Sequence, residues 1–274
     1  MDIFTNMMRK MLAFLKRDFL INSSYKTSFL LELGAIFFSL ATFFFVSKLF
    51  GKNVSAYLAD YGGDYFPFIL IGIAFYGYLL TAMSSFTQAI QQEQDMGTLE
   101  AIMLSPTKIS TMLIGGSLWS FLFTSVSVFF YIFLGILFFG FPTDNINIPA
   151  AMIMLVLTVI SFSSFGIISA SFILVLKKGD PVNIFFSGFS RLVGGVFFPV
   201  TLLPLWTQKL SYLLPITYSL HGMRMAMLNR SSVGDIRQDI AALILFSAVL
   251  LPFGVFCFKF AVRRAKKDGS LIYY

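Results

Sequence analysis

Charge is scarce in this chain. Only 12 % of its 274 residues are Asp, Glu, Lys or Arg, about half the share of an ordinary soluble domain. Cysteine is nearly absent: Cys257 stands alone, so no disulfide can close within the chain. Its neighbours Phe256 and Phe258 mark it as a small buried hydrophobe rather than a reactive thiol. Histidine is as rare, with His221 alone. One His and one Cys leave no metal-ligand cluster and no HExxH pattern, and make a Ser-His-Asp set implausible. No G-x4-GK[ST] phosphate loop occurs, so the chain does not bind and hydrolyse ATP in the usual way by itself. Acids in the middle of the apolar runs are too few for a typical proton- or sodium-coupled carrier, and no inverted internal repeat is visible. A catalytic reading is therefore poor.

What is abundant is apolar. Hydrophobic residues make up 57 % of the chain, with 35 Phe among them, more than one water-soluble core hides. Six runs approach or exceed the roughly 20 apolar residues that a bilayer-crossing helix needs: Phe29–Leu49, Phe66–Phe86, Ile109–Phe139, Pro149–Leu176, Val182–Leu203 and Ile240–Phe260. The fifth is interrupted by Gly194, Gly195 and Pro199. The runs are too long for barrel strands and do not alternate, so the expected class is an all-α membrane protein with six transmembrane helices. Lys and Arg set the orientation. With both termini in the cytoplasm, twelve basic residues lie inside (Arg9, Lys10, Lys16, Arg17, Lys26, Lys108, Lys177, Lys178, Arg263, Arg264, Lys266, Lys267) against six outside (Lys48, Lys52, Lys209, Arg224, Arg230, Arg237).

Residues 1–27 precede this domain of residues 28–262. On a helical wheel Ile3, Phe4, Met7, Met8, Met11, Leu12, Phe14, Leu15 and Phe19 share one half, and Asn6, Arg9, Lys10, Lys16 and Arg17 the other, with only Asp18 out of place. That pattern suits an interfacial helix, basic toward anionic headgroups, either a plain anchor or an anchor that also braces a cytoplasmic partner. Basic charges recur through the segment and no small-residue cleavage site follows an apolar core, so it does not have the form of a signal peptide. Residues 263–274 form a basic tail.

Between the second and third runs lies QQEQDMGTLEAIMLSP, Gln91–Pro106, with three of the chain's thirteen acids. Gly97 suits a helix stop. Thr98 can cap a new short helix with Glu100 in its first turn. Leu99, Ile102 and Met103 fall on one face, and Glu93, Asp95 and Glu100 form a polar edge. Ser105-Pro106 suits an N-cap and first helical position for the next span. A solvated connector is the plain alternative, but it needs no stop, cap, apolar face and restart within 16 residues.

The same residues carry a resemblance. EQDMGTLEAIMLSP is similar to the E-x3-GT-x-E-x4-SP signature of type-2 ATP-binding-cassette exporter permeases, with Glu93, Gly97, Thr98, Glu100, Ser105 and Pro106 in the matching places and Leu99 between them. Met96 departs from a position that is often basic in that family, and His221 from one often acidic. The N-terminal helix, GGVFFPVTLLPLW (Gly194–Trp206), LLPITYSLHGMR (Leu213–Arg224) and the basic tail resemble the family's connecting helix, fifth helix, outer-leaflet segment and tail. The resemblance implies a transporter subunit rather than an enzyme, in the cell membrane, whose Gln91–Pro106 loop docks on a separate ATPase. It implies two cytoplasmic ATPase copies that carry the ATP and Mg, a second permease copy (homodimer, or heterodimer with a sister chain), no cofactor on this chain and no nucleic-acid partner. FFPVTLLP lacks the Arg of the polysaccharide branch's Phe-Pro-Arg signature. An amphiphilic drug, antibiotic or lipid-like cargo is therefore the leading implication, with a cell-surface glycan such as a teichoic-acid-type polymer second. A non-transporting membrane interaction or immunity protein is the reading of another class.

Two further sites are readable. Residues 200–237 form no clean span: Pro199, Pro204 and Pro215 break it, and Trp206, Tyr212 and Tyr218 are spaced like interfacial aromatics. A broken re-entrant gate that includes Arg224, or a plain outer loop, fits this pattern. Arg191 lies nine residues into the fifth run, roughly 13 Å deep, where an Arg costs about 2.5–3.5 kcal/mol to insert. It calls for an interior partner, with Glu32 as the candidate, unless it snorkels from a helix that starts later. His221 is either a polar tip or part of a proton relay.

Overall fold

The computed structural model of the chain describes residues 2–24, 26–105, 109–176 and 180–267. Among them there are ten α-helices and no strand: α1 (Asp2–Ser23), α2 (Lys26–Val54), α3 (Tyr65–Asp95), α4 (Leu99–Leu104), α5 (Ile109–Phe139), α6 (Ile148–Leu176), α7 (Pro181–Val193), α8 (Leu205–Ser211), α9 (Pro215–Leu228) and α10 (Arg237–Lys267). Short 3-10 turns occupy Ser55–Tyr61 and Val200–Leu202.

Five of the helices, α2, α3, α5, α6 and α10, are long and apolar enough to cross a membrane. At 31 residues, α3, α5 and α10 measure about 46 Å, longer than a hydrocarbon layer of roughly 30 Å, so they tilt or project.

The axis of the bundle is α3. Its stretch FPFILIGIAF, Phe66–Phe75, is apolar on every side, which a helix tolerates in water or lipid by being surrounded. Across its apolar window 72 % of α3 is buried, against 11 % for α2, α5 and α10. Those outer helices instead display Phe38, Phe129, Leu245 and Phe256, as lipid-facing helices do.

The two ends of the bundle differ. At one end, the base, Phe86 and Ile90 of α3, Met112 and Leu113 of α5, Ile173 and Leu174 of α6 and Phe258 of α10 form one cluster, with Phe14 of α1 and Ile102 of α4 packed against it. The first helix and the end of the last thus meet at the base. At the opposite, distal end the connections are polar. Ser211 Oγ donates to the Val193 carbonyl at 2.7 Å, Asn147 Nδ2 to the Ser231 carbonyl at 2.9 Å, and the Asn229 amide to the Asp60 carbonyl.

The fifth expected run, Val182–Leu203, is not one helix. Asp180 caps α7, taking the Asn183 N–H at 3.0 Å and the Ser169 hydroxyl. The helix then ends at Val193 after 13 residues, about 20 Å. The physical reason is the Gly194-Gly195 pair followed by Pro199. Residues 194–199 run non-helical against α3, where Gly72 admits them: a Cβ there would lie 2.2 Å from the Val196 carbonyl oxygen and 2.6 Å from Arg224 Nη2. Replacing Gly72 by Leu should therefore force the 194–199 segment off α3 and cost about 1–3 kcal/mol, read as a lowered thermal unfolding midpoint of the purified chain.

Candidate functional site

The base holds the first group of expected site residues. Gly97 has φ +67°, a left-handed backbone that only Gly adopts without strain, and it turns the chain from α3 into the six-residue α4. Thr98 does not act as the expected side-chain cap: its hydroxyl makes no capping bond and donates instead to the Glu93 carboxylate. Nor does Glu93 belong to a solvated edge. It is 2 % exposed, and its other oxygen takes Arg17 Nη1 from α1 at 2.5 Å. Arg17 Nε at the same time donates to Asp18 at 2.9 Å. A carboxylate buried this deeply needs a charged partner, and α1 supplies it. Burial pushes the Asp18 carboxyl above its usual range, against the pull of Arg17.

The wheel of α1 is also reapportioned. Met11, Phe14 and Asp18, at helical spacing, pack inward, while Met8, Leu12, Phe19 and Leu20 stay exposed. Asp18 is thus no misfit; it lies on the packed face beside the Arg17–Glu93 pair. Its position among apolar neighbours was the one sequence signal for this junction. On α4, Ile102 packs into the base and Leu104 is 82 % exposed. Ser105 ends α4, its hydroxyl bonding the Ile102 carbonyl at 2.7 Å. Pro106 and the side chains of Leu99 and Glu100 lie outside the described residues.

Mid-bundle, Glu32 and Arg191 line one cavity of about 520 Å³ between α2, α3, α5 and α7. They are not an ion pair. Glu32 accepts the Ser127 hydroxyl at 2.6 Å. Arg191 is exposed in the last turn of α7, where the helix dipole favours a cation, and its guanidinium sits 5.2 Å over the Phe197 ring.

At the distal end the expected breakers stand at helix starts. Pro199 precedes the 3-10 turn, Pro204 precedes α8, and Pro215 is the first residue of α9. Tyr218 donates its hydroxyl to the Tyr212 carbonyl at 3.0 Å. Arg224 is 2 % exposed and spends its fork entirely on backbone: Nε on the Phe68 carbonyl at 3.1 Å, Nη1 on Gly195 at 2.8 Å and Nη2 on Val196 at 3.0 Å. The guanidinium lies 3.4 Å from the Phe68 ring centroid. His221 Nδ1 meets Asp239 Oδ2 at 2.8 Å.

The sequence profile of the ABC-2 type transporter family matches residues 9–228, which takes in the base junction, the cavity and the Arg224 clamp alike. The chain belongs to the ABC-2 type transporter family. It is 24 % identical over 231 residues to the inner membrane transport permease YadH of Escherichia coli K12, covering 81 % of this chain and 84 % of that one. The YadH of Shigella flexneri matches equally. Nodulation protein J of Sinorhizobium fredii is 34 % identical over 106 residues, 37 % of this chain and 39 % of that one. This ABC-2 permease is accordingly a multi-pass membrane subunit of an ABC transporter, whose ATP hydrolysis belongs to an ATPase partner.

Two measurements check the geometry of the permease. A double-mutant cycle of Arg17→Leu and Glu93→Gln, followed by thermal unfolding, should return a coupling of about 1.5–3 kcal/mol, as for hydrogen bonds to charged groups; additivity would place the two residues apart. Arg224→Leu should orphan the Gly195 and Val196 carbonyls, each worth about 1–3 kcal/mol, and raise hydrogen exchange in residues 194–199 at least tenfold.

Proposed function

We propose that this permease is one half of an ATP-driven exporter that moves an amphiphilic small molecule out of the cytoplasm or the inner leaflet. A second copy of the chain supplies the other half of the pathway, and two cytoplasmic ATPase subunits drive it. Both termini and the Gln91–Pro106 loop face the cytoplasm, in keeping with the twelve-to-six distribution of basic residues. The sixth crossing is composite, formed by α7 and the broken segment after it, and residues 200–237 dip in from the outer face.

The observation that carries this reading is α4. It lies between α3 and α5 in the chain, with Ile102 packed on the base cluster and with Leu104 and Met96, at its two ends, exposed. An apolar tip on a rigid, Gly-terminated peg is a shape made for a partner's groove. Because Glu93 holds Thr98 on one side and Arg17 on the other, force applied to α4 reaches α3 and α1 together.

In the proposed cycle, ATP draws the two ATPases together and they displace both α4 pegs. The displacement travels along α3 to the distal end, where Arg224 ties α3 to residues 195 and 196. The path between the two copies opens outward there.

Co-purification tests this. Glu100→Lys and Leu104→Asp should each lower recovery of the ATPase with the affinity-tagged permease at least tenfold, while membrane insertion, read by protease protection, is unchanged. Undiminished recovery with both variants would remove α4 from the docking surface.

A further inference from the structure

A second cavity, of about 350 Å³, lies toward the base between α1, α3 and α5. It shares Leu80, Thr81, Phe123 and Thr124 with the Glu32–Arg191 cavity, so the two adjoin. Their common neck is the hydrogen bond between the Thr81 and Thr124 hydroxyls, 2.6 Å. From Ile73 in one cavity to Gln92 in the other is nineteen steps of α3, about 28 Å at the helical rise, close to the roughly 30 Å of a hydrocarbon layer.

The lining is polar where a membrane helix is normally apolar. Thr81, Ser84, Gln88 and Gln92 recur every three or four residues on one face of α3. Ser120, Thr124 and Ser127 face them from α5. Ser85, only 1 % exposed, lines the same cavity with its hydroxyl unpartnered, and a buried hydroxyl without a partner is costly. Polar groups at this depth mark a wet cavity or a transport path. Gln88 is exposed, so the lane is open along its side.

Charged side chains are the minority of its polar lining: Asp18, held by Arg17, Glu32, bonded by Ser127, and Arg191, whose guanidinium lies over the Phe197 ring, stand among a larger set of neutral Ser, Thr and Gln groups. A head group passing along it meets mainly uncharged hydroxyls and amides.

We infer that this lane is a track for an uncharged, hydrogen-bonding head group, polyhydroxyl or polyamide in chemistry, carried on an apolar tail that stays outside the lane. The inference rests on the exporter reading and narrows its cargo. Head-group hydroxyls would exchange bonds with the Thr81–Thr124 neck and with Ser85 as they pass.

The test uses the purified permease in lipid nanodiscs without ATPase, so that its failure is distinct from a failure of ATPase docking. Trp119 lines the lane, and Trp206→Phe leaves it as the sole tryptophan, since the chain has two. Three eight-carbon amphiphiles are titrated below their micelle concentrations: octyl maltoside, octyltrimethylammonium and octyl sulfate. Octyl maltoside should shift Trp119 emission saturably and at least tenfold more tightly than the two charged probes. Thr81→Val with Gln88→Leu should weaken that binding at least tenfold, and Ser84→Phe, which fills the lane, should abolish it, both at an unchanged unfolding midpoint. Should either substitution shift the midpoint, Gln88→Leu alone is scored by the same tenfold criterion. A response that does not saturate, that is equal or stronger for a charged head, or that ignores the substitutions overturns the inference.

Discussion

Inside a bilayer every peptide group must find its partner within the protein, and Arg224 meets that requirement at the one place where this chain most openly breaks the helical rule. Residues 194–199 leave α7 without continuing as helix, in a region that packs on the buried axial helix. One guanidinium, in ion pair with no carboxylate among the described residues, takes the carbonyls of Gly195 and Val196 and, from α3, that of Phe68. Arg suits this task better than Lys because its planar fork presents several donors at fixed angles, and its flat face rests on the Phe68 ring. The distal architecture follows: Gly72 lets the broken segment approach, α9 is buried to carry the cation inward, and the loops close around it.

At the base the same helix is held by a different device. Glu93, two residues before the end of α3, is paired with Arg17 and bonded by Thr98, so the first helix, the axis and the peg share one carboxylate. The ABC-2 permease therefore has its putty of aromatic packing in the middle and its specific polar fastenings at the two ends of a single helix. That division suits a protein that must hold its fold in lipid, where apolar contact alone discriminates poorly between neighbours, and still convey a displacement from one face to the other.

The sequence was most legible where periodicity and run length speak. The apolar runs announced the helices that became α2, α3, α5, α6 and α10, and Gly97 announced the stop before α4. Partners were another matter. A wheel reveals which residues share a face but not what that face meets, so Glu93 looked solvated until α1, 76 residues earlier, brought Arg17 to it. Thr98 fitted a cap by position, yet a nearby carboxylate outcompeted the backbone for its hydroxyl. The fifth run counts as a span by hydropathy although Gly194, Gly195 and Pro199 visibly interrupt it; run length does not say that the three together end the helix at Val193. Arg224 belongs to the expected gate by its place in LLPITYSLHGMR, but nothing local marks it, rather than Lys209, Arg230 or Arg237, as the buried cation; that distinction lies in Phe68 and Gly72, some 150 residues away. Arg191 and Glu32 did come to one cavity, but bonded to other groups.

The attachment of α3 at both extremities limits how it can move. Sliding along its own length like a piston would shear Glu93 from Arg17 and strip Phe68 from Arg224 in the same stroke, losing both fastenings at once. Rocking about its waist, near the small Gly77 and the paired Thr81, keeps the bonds at each extremity when α1 at one end and α9 at the other swing with it, and exchanges which flank is open. The permease's central rod is in this sense built as a seesaw whose fulcrum lies beside the Thr81–Thr124 hydrogen bond.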